Sequence, residues 1–223
     1  MLHIEDVKTA EHIGNCVNYE GLSKRDWVMS WKTEFADKIK DNAGRIYIIV
    51  SRAPDSNTCE GETKTKGAIK KIGKSECRGG MKNTFAFYQG GLGGSPSIRT
   101  FGIHKLIAHE LEIGNSVEIW GIWSRPVAVQ VPGLFGIEEM FVTPSIHCME
   151  EKCRNDYKNI VGEFPPWNFQ ERGQPWPELV QIGYKEQVAN RPTEEERKEK
   201  KRQRQVARIE KKKQLEEKRR KKN

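Results

Sequence analysis

The sequence has no apolar run near membrane-spanning length and no basic-then-apolar opening of the kind that marks a secretory leader, so the reading is of a soluble cytoplasmic protein. Cysteine is scarce. Cys16, Cys59, Cys77, Cys148 and Cys153 are odd in number and form no CxxC pair, which argues against a disulfide framework or a zinc ribbon. His147 beside Cys148 invites a zinc reading, but Cys148 and Cys153 lie five apart on an expected helix and point in different directions. The glycine run from Gly90 to Gly94 lacks a following Lys-Ser/Thr and a nucleotide-fold strand before it, so it is not a P-loop.

Excess charge is also missing from most of the chain. Residues 192–223 hold 15 Lys and Arg against 7 Asp and Glu, and the other residues hold 24 of each sign. The whole net charge of +8 therefore belongs to the last 32 residues. They contain almost nothing apolar beyond Val206, Ile209 and Leu215, so they cannot build a core and are either disordered or an isolated charged helix. A basic tail on a neutral body suits a densely anionic partner, of which nucleic acid is the commonest.

What is present centres on residues 44–75. Ile46, Ile48 and Val50 alternate with Tyr47, Ile49 and Ser51, the period of a strand, and Ala68–Ile72 makes a second, shorter run. Pro54, Asp55, Ser56, Asn57 and Gly61 lie between them, so the runs read as an elaborated antiparallel hairpin that aims Tyr47 and Lys71 at one concave face. Before it, Ser23 as a cap and Trp27, Trp31, Phe35 and Ile39 at four-residue intervals predict an amphipathic helix ending at Asn42-Ala43-Gly44. That aromatic stripe reads as core-facing rather than as a base-stacking platform. Residues 1–22 give no clear period. Lys74 to Gly94, with Arg78, Lys82, Phe85, Phe87 and Tyr88, reads as a flexible connection.

Ser97 to Gly114 is an expected helix carrying His104, whose ring titrates near neutrality and makes it a candidate base. Val117–Trp123 is a third strand, and Val127–Val131 a short extended piece. Thr143-Pro144 opens a helix that Gly162 ends. Ile146, Cys153, Tyr157 and Ile160 share one face of it and Glu150 falls among them, while Glu151 lies about 100° further round. An inward carboxylate needs a salt-bridge partner or a bound cation. Trp167-Asn168-Phe169 and Pro175-Trp176-Pro177 form an aromatic strap without regular period, running back over the domain.

In this order the pieces resemble the GIY-YIG endonuclease family over residues 44–162. Arg45-Ile46-Tyr47 stands where the family has Gly-Ile-Tyr and Lys71-Ile72-Gly73 where it has Tyr-Ile-Gly, followed by helix, strand and an acid-bearing helix. The resemblance implies an α+β fold, a small three-stranded antiparallel sheet flanked by helices, here with an N-terminal helix and a charged C-terminal tail. It implies a helical extension over 1–43, a nuclease domain over 44–168, the strap over 169–191 and the tail over 192–223. It also implies hydrolysis of DNA with Mg2+ or Mn2+. Tyr47 would activate water, Arg78 would steady the phosphate with Lys82 and Arg99 as rivals, and Glu150 would hold the metal. Lys71, in place of the second tyrosine, would bond phosphate or take a proton. The resemblance also suggests a bacteriophage origin, hence a host cytoplasm, and leaves a second reading: a catalytically inactive module that binds nucleic acid or serves in an assembly.

Overall fold

The computed structural model describes residues 2–21, 26–40, 45–54, 65–92, 96–191 and 193–220, without the side chains of 197, 200 and 211–220. Expected features at Ser23, Asn42, Gly44, Asp55, Ser56, Asn57, Cys59, Gly61, Gly93 and Gly94 lie outside the described residues.

Strand β3, Arg45–Arg52, is the axis of the molecule. It is flanked by β4, Ala68–Ser75, and β5, Ser116–Trp123, and both pairings are antiparallel. Two further strands, β1 (Glu11–Asn18) and β2 (Trp27–Trp31), extend the sheet to five strands in the order β2-β1-β5-β3-β4. The expected three-stranded sheet is thus enlarged, and the expected N-terminal helix is replaced by strand. The reason lies in the spacing: four residues is twice two, so Trp27 and Trp31 share a face in a strand as well as in a helix. Met29 between them packs on the same core, which settles the period as two. Phe35 follows in a 3-10 turn, Thr33–Phe35, and Ile39 is buried beyond it. In β1 a register shift between His12 and Gly14 breaks the alternation and hides the strand from a periodicity reading.

Helices cover both faces. On one lie α1, Gly80–Gln89, and α2, Ile98–Glu112, whose Met81, Phe85, Tyr88, Ile103 and Ile107 pack on Tyr47, Ile49, Val117 and Ile119. On the other lies α3, Ile146–Val161, whose Tyr157 joins Ile46, Ile48, Val50, Ile69 and Ile72. Buried from both sides, β3 reads as a nearly continuous apolar run. The segment expected as a flexible connection contains α1, which buries Met81, Thr84, Phe85 and Tyr88 at helical spacing. Ser97 caps α2 by accepting from the Thr100 N–H at 3.2 Å. In α3 the cap position falls at Ser145, just after Pro144, and Ile160, expected inward, is exposed.

The short piece expected over 127–131 is a full hairpin, β6 (Val127–Gly133) and β7 (Gly136–Val142), forming its own two-stranded sheet. The strap contains a short helix α4, Phe169–Arg172, and a longer one, α5, Glu178–Ala189. The tail is a single helix, α6, Glu194–Arg220. The chain forms two compact units, Met1–Tyr184 and Lys185–Asn223. Among the described residues no helix is long and apolar enough to cross a membrane.

Candidate functional site

Tyr47 and Lys71 do project from one face, since Tyr47 pairs with Gly73 and Ile49 with Lys71 across the β3–β4 ladder. The phenol lies over Gly73, where a Cβ would come within 2.4 Å of its hydroxyl oxygen; only glycine leaves that space. This explains the glycine of Lys71-Ile72-Gly73 by close approach, not by turn formation.

The Tyr47 hydroxyl is 2.7 Å from that of Tyr88 on α1, and the Arg99 guanidinium from the first turn of α2 hydrogen-bonds both. Tyr47 is fully buried, and burial, reinforced by Tyr88 and opposed by Arg99, pushes its pKa well above the usual phenol range. Lys71 is 4% exposed. Burial, then the positive charge of Arg99, pulls its pKa down to about 8, against the opposing pull of Glu171 and Glu150. Arg99 itself is exposed, so it joins solvent to the buried hydroxyls.

Glu150 is buried on α3, while Glu151 is exposed. Its partner is Arg154, one turn on, at 3.8 Å, and Arg154 also ion-pairs with Glu171 of α4. The salt-bridge reading of an inward acid is therefore realised here. Around Lys71 the described charges are three cations, Lys71, Arg99 and Arg154, against two carboxylates, Glu150 and Glu171. No described ion pair reaches Lys71, whereas Arg154 is paired with both Glu150 and Glu171.

The strap closes over this group along β4, the edge strand. The Trp167 N–H donates to the Lys70 carbonyl at 2.8 Å. The Asn168 side chain accepts from the Ile72 N–H at 3.1 Å and donates to the Ile72 carbonyl at 2.9 Å, imitating a neighbouring strand. Lys71, between those anchors, shares a small pocket with Arg99, Glu171, Trp167, Phe169 and Trp176. Trp176 rests on α2 where Gly102 leaves room: a Cβ there would meet the indole at 2.5 Å.

The other expected residues lie elsewhere. Arg78, between β4 and α1, is exposed; its carbonyl accepts from the Asn83 amide, and no described contact joins its side chain to Tyr47 or Lys71. Lys82 is exposed as well. Of the three cations held open for the phosphate role, Arg99 is the one beside Tyr47. His104 is fully buried in α2, stacked on Trp27, with Nδ1 donating to the Tyr88 carbonyl at 2.9 Å and Nε2 3.1 Å from Asp26 Oδ2. Burial holds its pKa below the ordinary value even though Asp26 acts to raise it. Arg45, where the family has glycine, packs its guanidinium 4.9 Å from the centre of the Trp123 ring and bonds the Lys38 carbonyl at 3.0 Å. Tyr88 and Asn168 were not among the expected site residues. Tyr88 falls on the buried stripe of α1, which was the available signal; Asn168 carries none, because its role depends on the strap reaching β4.

Among the described residues no group of three or more His, Cys, Asp or Glu side chains could enclose a metal ion. A magnesium ion held by one carboxylate and otherwise by water and substrate oxygens is compatible with Glu150. Arg154 competes for that carboxylate.

The structure is a mixed α/β fold with helices flanking a small antiparallel sheet. No family model and no curated protein matches the chain. Among solved structures, the restriction endonuclease HPY188I in complex with product DNA is distantly similar, with a TM-score of 0.37 and 16% identity over 74% of this chain and 84% of that chain.

Proposed function

We propose that this chain hydrolyses phosphodiester bonds in DNA, at the group formed by Tyr47, Lys71, Tyr88, Arg99 and Glu150. The observation that carries the reading is the uncompensated positive charge at Lys71, reached from solvent along Arg99 and set beside a hydrogen-bonded tyrosine pair. A phosphate is the anion such a group lacks. The resemblance of Arg45-Ile46-Tyr47 and Lys71-Ile72-Gly73 to the GIY-YIG motifs supports the same chemistry. The basic α6 adds affinity independent of sequence.

In this reading a water oxygen attacks phosphorus, the phosphorus–sugar oxygen bond breaks, the water's proton passes to Lys71, and the leaving sugar oxygen takes a proton from solvent. A base works best when its pKa lies near the working pH. With a pKa of about 8, roughly a tenth of Lys71 is neutral at pH 7, whereas burial keeps the Tyr47 hydroxyl protonated. Arg99 holds the phosphate oxygens, and Tyr47, tied to Arg99 and Tyr88, orients the water. Glu150 would hold a divalent cation, which when bound supplies positive charge toward the leaving oxygen.

A second reading, a catalytically silent nucleic-acid-binding module, is favoured by one observation: Tyr47 has no solvent exposure under the closed strap. Incubation of the protein with supercoiled plasmid, with and without magnesium, separates the two. The nuclease reading expects magnesium-dependent nicking or linearisation that Glu150→Gln and Arg99→Ala each abolish, and that Tyr47→Phe reduces while DNA affinity stays nearly unchanged. Plasmid left intact by the wild type, but retarded in a gel, gives the silent module.

A further inference from the structure

The β6–β7 hairpin stands apart in character from the rest of the protein. Apart from the half-buried Val131, every residue from Val127 to Val142 is exposed, and at the tip Leu134 and Phe135 are 97% and 99% exposed. Ile137 and Phe141 are each 72% exposed. A two-stranded ribbon is marginally stable alone, and a contiguous apolar surface of this kind marks a contact site. The ribbon also leaves strand edges open, in a chain that caps its main edge strand with Asn168.

The chemistry of the hairpin selects its partner. Between Val127 and Val142 there is no Lys or Arg, while Glu138 and Glu139 sit near the tip, so a phosphate backbone is repelled. At the root of the same hairpin lies a groove whose walls include Lys8, Ile122, Trp123 and Arg125. Besides Glu11, which pairs with Lys38 and accepts from the Trp123 indole, the groove offers two cations and two apolar side chains, and the tip offers two carboxylates and two apolar side chains. Arg125 lies only two residues before Val127, so one hairpin separates groove from tip, about 24 Å for seven extended residues.

We infer that the hairpin is a dimerisation arm whose occupant is a second copy of this chain. Two hairpins laid antiparallel about a two-fold axis bring each tip to the other's root, which is the self-complementary arrangement such an interface requires. Leu134 and Phe135 enter the partner groove against Ile122 and Trp123, and Glu138 faces Lys8 and Arg125. The contact forms twice and covers the apolar ribbon from both copies. This inference is independent of the nuclease reading.

The test is the mass of the full chain in solution, by sedimentation equilibrium at micromolar concentration. The wild type is expected at twice the mass of the chain, and the Leu134→Asp, Phe135→Asp double variant at the mass of one, with an unchanged far-ultraviolet circular dichroism spectrum. Arg125→Glu and Glu138→Arg, each alone, are expected to weaken association by at least about tenfold, and the two together to restore it. A monomeric wild type overturns the inference. So does a dimer that persists in the Leu134→Asp, Phe135→Asp variant, or one that the charge reversal fails to rescue.

Discussion

Two polar clusters are sunk into the same side of the sheet, and Tyr88 belongs to both: its carbonyl accepts from His104 and its hydroxyl meets Tyr47. Around His104 the charges close. Asp26 accepts from Lys105 at 3.1 Å, and burial favours the neutral imidazole of His104, whose one proton points from Nδ1 to the Tyr88 carbonyl. Around Lys71 they do not: Arg154 takes up Glu150 and Glu171, Arg99 is turned to the Tyr47 and Tyr88 hydroxyls, and no described ion pair reaches the lysine. A buried cluster whose charges cancel holds the fold together, whereas one with a surplus is costly until something else binds. Histidine would attract attention first in such a core, but the residue without a counter-charge is the lysine.

The strongest way to break this comparison is Lys71→Met, which keeps the stem and removes the charge. Cleavage is expected to fall by roughly a hundred- to ten-thousand-fold, the usual contribution of a general base. Stability is expected to move the other way. Because the folded-state pKa of Lys71 is depressed from the ordinary lysine value of 10.5 to about 8, its charged form is disfavoured by folding. The group costs stability below about pH 8, and stability recovers as pH rises from there toward the unfolded value. Removing it should therefore raise the stability at pH 7 by about 1–3 kcal/mol, and with it the melting temperature, and leave the mutant with less gain in stability between pH 8 and 10 than the wild type. In the wild type the cleavage rate should rise with pH and level off near 8, as Lys71 loses its proton. A Lys71→Met protein that is less stable and still cleaves would make Lys71 structural.

His104→Ala should do the reverse. It leaves Asp26 with Lys105 alone, removes the stacking on Trp27 and strips the Tyr88 carbonyl of a buried donor. An unsatisfied buried group costs about 1–3 kcal/mol, so the melting temperature should fall while the protein that remains folded cleaves at nearly the wild-type rate. Loss of cleavage in well-folded His104→Ala, measured below its melting transition, would move the base from Lys71 to His104.

These residues show what the sequence could and could not reveal. The β3–β4 hairpin was legible as two apolar runs parted by turn residues, α2 and α3 because each buries a face at helical spacing, and Glu150 stood out because it interrupts such a face. The strand at Trp27–Trp31 was misread because an interval of four fits two periods, and β1 was obscured by its register shift. The site itself was half legible. Tyr47, Lys71 and Glu150 lie on elements with clear periodicity. Arg99 could be held only as one rival among three, since its pairing with Tyr47 depends on how α2 crosses the sheet. Glu171 and Asn168 reach the site through the strap, whose course has no period at all.

The finest contrast lies between neighbours on α3. Glu150 is 7% exposed, is electrostatically coupled to Lys71 and lies beside Arg154, whereas Glu151, one residue and about 100° away, is exposed. Glu151→Ala touches neither the charge balance of the site nor the packing of α3 on β3, and surface changes of that kind stay within about 0.5 kcal/mol. Its melting temperature and plasmid cleavage should match the wild type within error. The change still removes one negative charge from the helix that carries Glu150, so it also separates a specific carboxylate from a general field. If the site merely needs acidic surroundings to attract a cation, Glu151→Ala should weaken the magnesium dependence by part of what Glu150→Gln does, most visibly at low ionic strength where the Debye length is long. An identical magnesium titration for Glu151→Ala and wild type at low salt assigns the cation to the buried carboxylate; a shifted one spreads that role over the helix.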